Sequence, residues 1–564
     1  MRYFIKAATV GKGILFLLLA GLCIPSAAQK RLAVEAEHFR IEWQEKSDGY
    51  RISTVSTNSA SGRISLENPS GSYGFLYSAT KPDTVSLYET MPDYVRKFPG
   101  REYTLLYGRW RDNLRPVAMN TAGELVRFYP ASAMQKGDSI IFTRKTRQGT
   151  LQAVWRPSKQ FGSDIEVTMT LRAAVDGYFS LITPTLATLS EKEMAWGVIP
   201  GHFQGRKLEP NFVWSYGYGQ GIPDRPVVVR ERTATTLCPT LTDRQGLSFA
   251  VIPEPGQGRD PWTYDHSTQN EWRLGFSLMN RDRELTPSAY HPVLGQEDSY
   301  MRKGEIRTFR FRYTVQQGDW YALCSHAARD IYRFGDFLAL KEPRQSLTDR
   351  ILRMAEYLEK DSTSLWRTFD YRGDTIGAQE YNATVFEYER DAVKNSDYGA
   401  MWMLARITGN DTLRRTRLPY ARNFKIHQQV SGGPLSGAAA GQYYLWKSGR
   451  YTEEWGDYAE PIGTVYYIML DIGNMLLFNP GDAELREDLR RGAERLLAWQ
   501  YPDGHWEVAY DKATGKPVFR DLRDLRPTFY GLLVAYRLLG DERYLDAACR
   551  GADWFVANAV DEGS

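Results

Sequence analysis

The chain has 564 residues, room for two to four domains, and 42% of them are hydrophobic, so its core needs no covalent staples. Its 71 basic residues outnumber its 68 acidic ones by three, and Arg2, Lys6 and Lys12, all within the first 28 residues, account for the excess. The remainder is formally neutral, which argues against nucleic acid or an anionic membrane as partner, since both reward a strong basic excess.

Residues 1–28 have the three parts of a cleavable secretory signal. After the basic start comes an apolar run, Ile14 to Leu19 and Ala20 to Ile24, and then Pro25-Ser26-Ala27-Ala28, whose small residues suit cleavage after Ala28. A run of about 11 residues is too short to cross ~30 Å of hydrocarbon. The expected location is therefore outside the cytoplasm, periplasmic or extracellular. Cys23 follows Leu22, where lipid attachment wants a small side chain, so lipoprotein anchoring is the less favoured outcome. No later stretch reads as long and apolar enough to span a membrane. Past the signal only Cys238, Cys324 and Cys549 remain, an odd and sparse set that makes neither a disulfide framework nor a zinc site.

Residues 29–316 read as strands. Ile165, Val167, Met169 and Leu171 alternate with Glu166, Thr168, Thr170 and Arg172, and Phe309, Phe311, Tyr313 and Val315 with Arg310, Arg312 and Thr314. Each pattern predicts one buried and one solvated face. Ile141–Arg144 and Leu151–Trp155 flank Arg147-Gln148-Gly149, a hairpin signal. So long a run of short strands is expected to form a large antiparallel β-sandwich. Residues 317–345 form a helical linker, with Trp320 to Phe337 helical in pattern and Lys341-Glu342-Pro343 ending it.

From residue 346 to 564 helices dominate, and they repeat. Gly399, Gly463 and Gly531 each open an apolar segment that closes on a second glycine, Gly409, Gly473 or Gly540, and the opening glycines are 64 and 68 residues apart. These segments read as inner helices buried on most sides, with the glycines ending helices and permitting close contact. Amphipathic outer helices follow. Leu485, Leu489, Ala493 and Leu496 line the second, and Leu545, Ala548, Ala552 and Phe555 the third. Such units bury a common core by stacking on their neighbours.

A strand-rich domain, a helical linker and repeated inner and outer helices together resemble the six-hairpin (α/α-toroid) glycosidases with an N-terminal β-sandwich, a toroid shared by some polysaccharide lyases. The resemblance implies a carbohydrate-active enzyme. Three helix pairs plus Leu347 to Lys360 fall short of the twelve or so helices of a closed toroid, so the expected ring is incomplete.

The turns from inner to outer helix are short, whereas the return loops, about 361–396, 431–460 and 501–527, are long and rich in aromatic and acidic residues. Long loops in compact domains are usually functional, and these gather at the inner helices' positively polarised N-termini. The second carries Glu453, Glu454, Trp455, Asp457, Tyr458 and Glu460 ahead of Pro461, a natural first helical residue. Glu454 or Asp457 is the expected catalytic acid or base, while Trp455 and Tyr458 stack on sugar. Glu460 is more simply explained by the helix start, and Glu453 as solvated.

The third loop carries Asp503-Gly504-His505-Trp506, resembling a turn found in many helical toroids, then Arg520, Asp521, Arg523, Asp524 and Arg526. Asp503 or Glu387 is the expected second carboxylate. His505 would orient a hydroxyl, Trp506 would bind sugar or pack beneath the turn, and Arg523 would contact substrate. In the first loop Glu380 and Glu387 rank behind these acids, and Asp397 is explained as a helix cap.

The expected function is glycoside hydrolysis by paired carboxylates on a poly- or oligosaccharide. One alternative is a lyase, with Tyr458 or His505 as base and Arg523 or Arg526 neutralising a uronate. The other is a non-catalytic glycan-binding protein. No spacing implies a metal or an organic cofactor.

Overall fold

A computed structural model describes residues 31–60, 62–82, 121–210, 215–216, 219–231, 234–258, 273–339, 344–381, 391–394, 398–453, 458–518 and 523–561. The expected signal segment lies outside these, as do Glu387, Asp397, Glu454, Trp455, Asp457, Arg520 and Asp521.

The N-terminal part is built of antiparallel sheets, with one short parallel pair, Leu208–Glu209 beside Ile222–Pro223. Nine strands make one sheet, with Thr240–Asp243, Leu247–Pro253, Ile306–Gln317 and Asp164–Ala173 at its centre. A second, seven-stranded sheet carries Gly177–Ala187 beside Pro69–Ser78, and residues 31–65 form a four-stranded sheet. Val167 pairs with Phe311 and Met169 with Phe309, so the two apolar stripes meet on one face. That face joins a core holding Trp43, Tyr73, Trp155 and Tyr313, in which the Trp155 indole N–H donates to the Tyr73 hydroxyl at 2.7 Å.

The opposite face departs from the alternation. Arg312 and Thr314 were expected in solvent and are buried. The chain turns back after Ile306–Gln317, and the helix Trp320–His326 packs over the sheet. Buried Asp164 there accepts from Arg312 (2.9 Å) and Thr314 (2.8 Å) and contacts His326 Nε2 (3.1 Å). Burying a polar group costs free energy unless it is hydrogen-bonded, and these partners supply the bonds. The linker helix is also shorter than its pattern: Arg333 takes a left-handed φ of 53° and separates Trp320–His326 and a π-turn from Phe334–Ala339.

Three helical hairpins follow. Inner helices Tyr398–Thr408, Pro461–Phe478 and Phe529–Leu539 lead into outer segments that start at Asp411, Ala483 and Glu542. Asn410, Asp482 and Asp541 cap those outer segments, each accepting a backbone N–H. Gly399, Gly463 and Gly531 all sit in the first turn of their inner helix. At the other end Gly409 and Gly540 adopt positive φ and stop the helix, whereas Gly473 lies within it and the helix runs on to Phe478. There a Cβ would approach Val534 to 2.9 Å, so Gly473 permits contact between inner helices instead of ending one. Pro461–Phe478 has the length and apolar composition of a membrane span, contrary to expectation. It is nonetheless mostly buried, packed against the second outer helix and both other inner helices.

The second outer helix buries the expected stripe. In the third the buried set is Tyr544, Ala547, Ala548, Gly551 and Trp554, one position away from the expected Leu545, Ala552 and Phe555. Trp506 lies against this face, its ring filling the space over Gly551, where a Cβ would come within 2.6 Å of it.

The return loops contain a sheet that their composition did not announce. Trp366–Tyr371, Asp374–Glu380, Ala392–Lys394, Tyr443–Leu445 and Arg450–Thr452 form five antiparallel strands, joining the first loop to the second. Its first hairpin turns on Arg372 and Gly373, both at positive φ, the backbone that a tight two-residue hairpin requires.

Candidate functional site

The second and third return loops meet at the N-termini of the inner helices, where Tyr458–Ala459 pairs antiparallel with Tyr510–Asp511. Two polar clusters lie along these loops.

The first surrounds Glu453. The strand Arg450–Thr452 delivers this residue into the interior, where it is 8% exposed. Burial and then the Glu460 carboxylate push its carboxyl up to about 8, against the pull of Lys512, the Gln442 backbone N–H and Lys394. Glu453 is thus protonated at neutral pH, whereas it was expected to be solvated. Glu460 precedes Pro461 and makes no side-chain cap; it accepts instead from Arg526 Nη1 at 3.1 Å. Arg526 is fixed in turn by buried Asp524 (2.6 Å), which also accepts from Thr528 at 2.8 Å.

Three lysines complete this cluster. Lys512 donates to the Ala440 carbonyl at 2.6 Å, and Lys394 lies 5.6 Å and 5.4 Å from the Tyr381 and Tyr443 ring centres. Fully enclosed Lys425 pairs with Asp471 at 2.6 Å; burial lowers its pKa while Asp471 opposes the change. A carboxylic acid able to give up a proton, a second carboxylate and nearby cations and phenol rings therefore converge at the start of the second inner helix.

The second cluster lies at the third outer helix. His505 Nδ1 and Asp503 Oδ1 are 2.5 Å apart, and the imidazole stacks on Tyr501 at 4.2 Å. Burial works against ionisation of Asp503, but the hydrogen bonds from His505 prevail and hold its carboxyl below the usual range. Gly504, at φ +103°, sits where a Cβ would lie 2.3 Å from the Arg550 carbonyl oxygen, so the turn is pressed against that helix. Exposed Arg523 lies 6.0 Å from the Trp554 ring and lowers the Asp503 carboxyl.

The structure thus groups Asp503, His505 and Arg523, and places Trp506 apart from solvent. Trp506 is 2% exposed and its indole N–H donates to the Leu496 carbonyl at 2.9 Å, so it packs beneath the turn and presents no face to a sugar. Tyr458 is half-buried against the sandwich core. Glu380 is engaged by Arg367 at 2.9 Å across the small sheet. Lys394, Lys425 and Lys512 escaped sequence reasoning, which named Glu453 but took it as solvated. One signal was present: Lys425 lies beside Ala421 and Phe424 on the buried face of the helix Leu418–His427, a position that demands an anionic partner.

No family model and no curated protein matches the sequence. Among solved structures, a polysaccharide lyase is 9% identical over 92% of this chain and 68% of its own, with a TM-score of 0.31. The GalM/aldose epimerase homologue from C. elegans is 8% identical over 52% of this chain and all of its own, at 0.26. A heparan sulfate lyase HepC mutant from Pedobacter heparinus is 10% identical over 51% and 37%, at 0.20. At such scores none of them assigns a substrate or a residue role to this chain.

Proposed function

We propose that the protein is an exported carbohydrate-active enzyme, and within that class a glycoside hydrolase. The observation that carries the proposal is Glu453: a buried acid raised to about 8, beside the Glu460 carboxylate. A protonated carboxyl beside a second carboxyl group is what acid-assisted glycoside cleavage uses. Glu453 donates its proton to the departing glycosidic oxygen, and Glu460 activates water or attacks the anomeric carbon. A separation of about 5 Å between the working oxygens would make the enzyme retaining, and about 6.5–9.5 Å inverting. Glu454, Trp455 and Asp457 follow Glu453 in the chain and are proposed to contact the sugar with Tyr458.

A lyase is the second reading, favoured by Lys394 and Lys512, which act on the Glu453 carboxyl and would also neutralise a uronate. Digestion of a polysaccharide panel separates the two. A hydrolase releases reducing ends without ultraviolet absorbance, whereas a lyase leaves an absorbing double bond. Binding with no product after long incubation would reject both.

A further inference from the structure

Cys238 and Cys324 come from distant parts of the sequence and meet where the linker helix crosses the nine-stranded sheet. Cys238 is fully buried just ahead of the strand Thr240–Asp243, and Cys324 is partly exposed in the helix Trp320–His326. Cys238 Sγ lies 3.3 Å from Thr240 Oγ1 and 4.0 Å from the carbonyl oxygen of Leu323, the residue before Cys324, and Cys324 packs against the same apolar cluster as Cys238. The helix is held in place independently of the sulfurs. The Ser248 hydroxyl donates to the Gly318 carbonyl at 2.7 Å at its start, and His326 Nε2 meets Asp164 at 3.1 Å at its end. Leu323, Ala327 and Ile331 pack with Cys238, Ala250 and Ile252 beneath it.

We propose that Cys238 and Cys324 are a disulfide-forming pair that covalently ties the linker helix to the β-sandwich under oxidising conditions. The packing that brings the two side chains into one cluster already exists with both thiols reduced, so the bond forms between neighbouring side chains. The order of steps follows from access and charge. The neighbouring Cys238 lowers the Cys324 thiol, while Cys324 and burial raise Cys238 well above the ordinary range. Partly exposed as well as acidified, the Cys324 thiolate attacks a small-molecule disulfide such as oxidised glutathione, giving a mixed disulfide and releasing one thiol. Cys238 then loses its proton and attacks the Cys324 sulfur, forming the S–S bond and expelling the second thiol. Two S–H bonds are lost, and the two electrons reduce the oxidant to two thiols.

Cys549 is exposed on the third outer helix and serves as internal control. The full-length secreted form is treated with oxidised glutathione, denatured, alkylated and digested, and its peptides are weighed. The expected result is one linked peptide pair containing Cys238 and Cys324, with the Cys549 peptide recovered unlinked, either alkylated or carrying one glutathione. Oxidation should also raise the thermal midpoint by a few °C, on the order of that seen for one unstrained crosslink. In Cys324→Ser both the link and the shift should vanish. Because Cys324 is partly exposed, that variant tests the idea even if Cys238→Ser misfolds. Recovery of Cys238 and Cys324 as separate alkylated peptides after oxidation would overturn the proposal, as would an equal midpoint shift in Cys324→Ser.

Discussion

Replacing Glu453 by glutamine removes its charge and keeps its shape, so the variant isolates what burying this acid costs. The carboxyl ionises near 4.5 when solvated and near 8 in the folded protein. Between these values the folded state holds a proton that the unfolded state has released, so stability falls as pH rises. At 1.36 kcal/mol per pH unit the full loss is about 5 kcal/mol, complete once pH passes about 8. Glu453→Gln should therefore match the wild type at pH 5 and exceed it by about 3–5 kcal/mol at pH 8.5, while losing activity. Urea unfolding of both proteins at the two pH values measures this. Parallel stability profiles, or a variant destabilised throughout, would refute the claim that Glu453 is buried and protonated.

Other perturbations test neighbouring parts of the structure. Arg526→Met leaves buried Asp524 without its cation and should cost about 3 kcal/mol by chemical denaturation. Trp506→Ala should lower stability by about 3–5 kcal/mol yet leave turnover per folded molecule and KM nearly unchanged, since the ring packs on Gly551. Mass spectrometry of the exported protein should find Gln29 as first residue; an intact Met1, or an acylated Cys23 at the terminus, would reject the proposed cleavage.

Much of this architecture was legible because burial imposes a period on the sequence. Val167 and Met169 betray a half-buried strand, and the spacing of Gly399, Gly463 and Gly531 betrays stacked hairpins. Periodicity misleads where an element is covered from an unforeseen side. Arg312 and Thr314 look solvent-facing until the linker helix closes over them, and the third outer helix buries Tyr544 where Leu545 was expected, with the Trp506 ring packed on the same face at Gly551. Strands of three residues, such as Ala392–Lys394 and Tyr443–Leu445, are too short to show an alternation. Glu453 was passed over for a related reason. An acid in a loop reads as solvated unless the strand that buries it is recognised, and Arg450–Thr452 is one of those short strands.

If Glu453 is the general acid, its loss matters in proportion to how much protonation the leaving group needs. The most direct measurement compares Glu453→Gln with the wild type on two substrates: a confirmed oligosaccharide and its aryl glycoside with an acidic, nitrated phenol as leaving group. Turnover of the oligosaccharide should fall by ~10²-fold or more, and that of the aryl glycoside only slightly, because a phenolate departs without a proton. Equal losses on both substrates, or full activity on the oligosaccharide, would contradict the assignment of Glu453 as the proton donor.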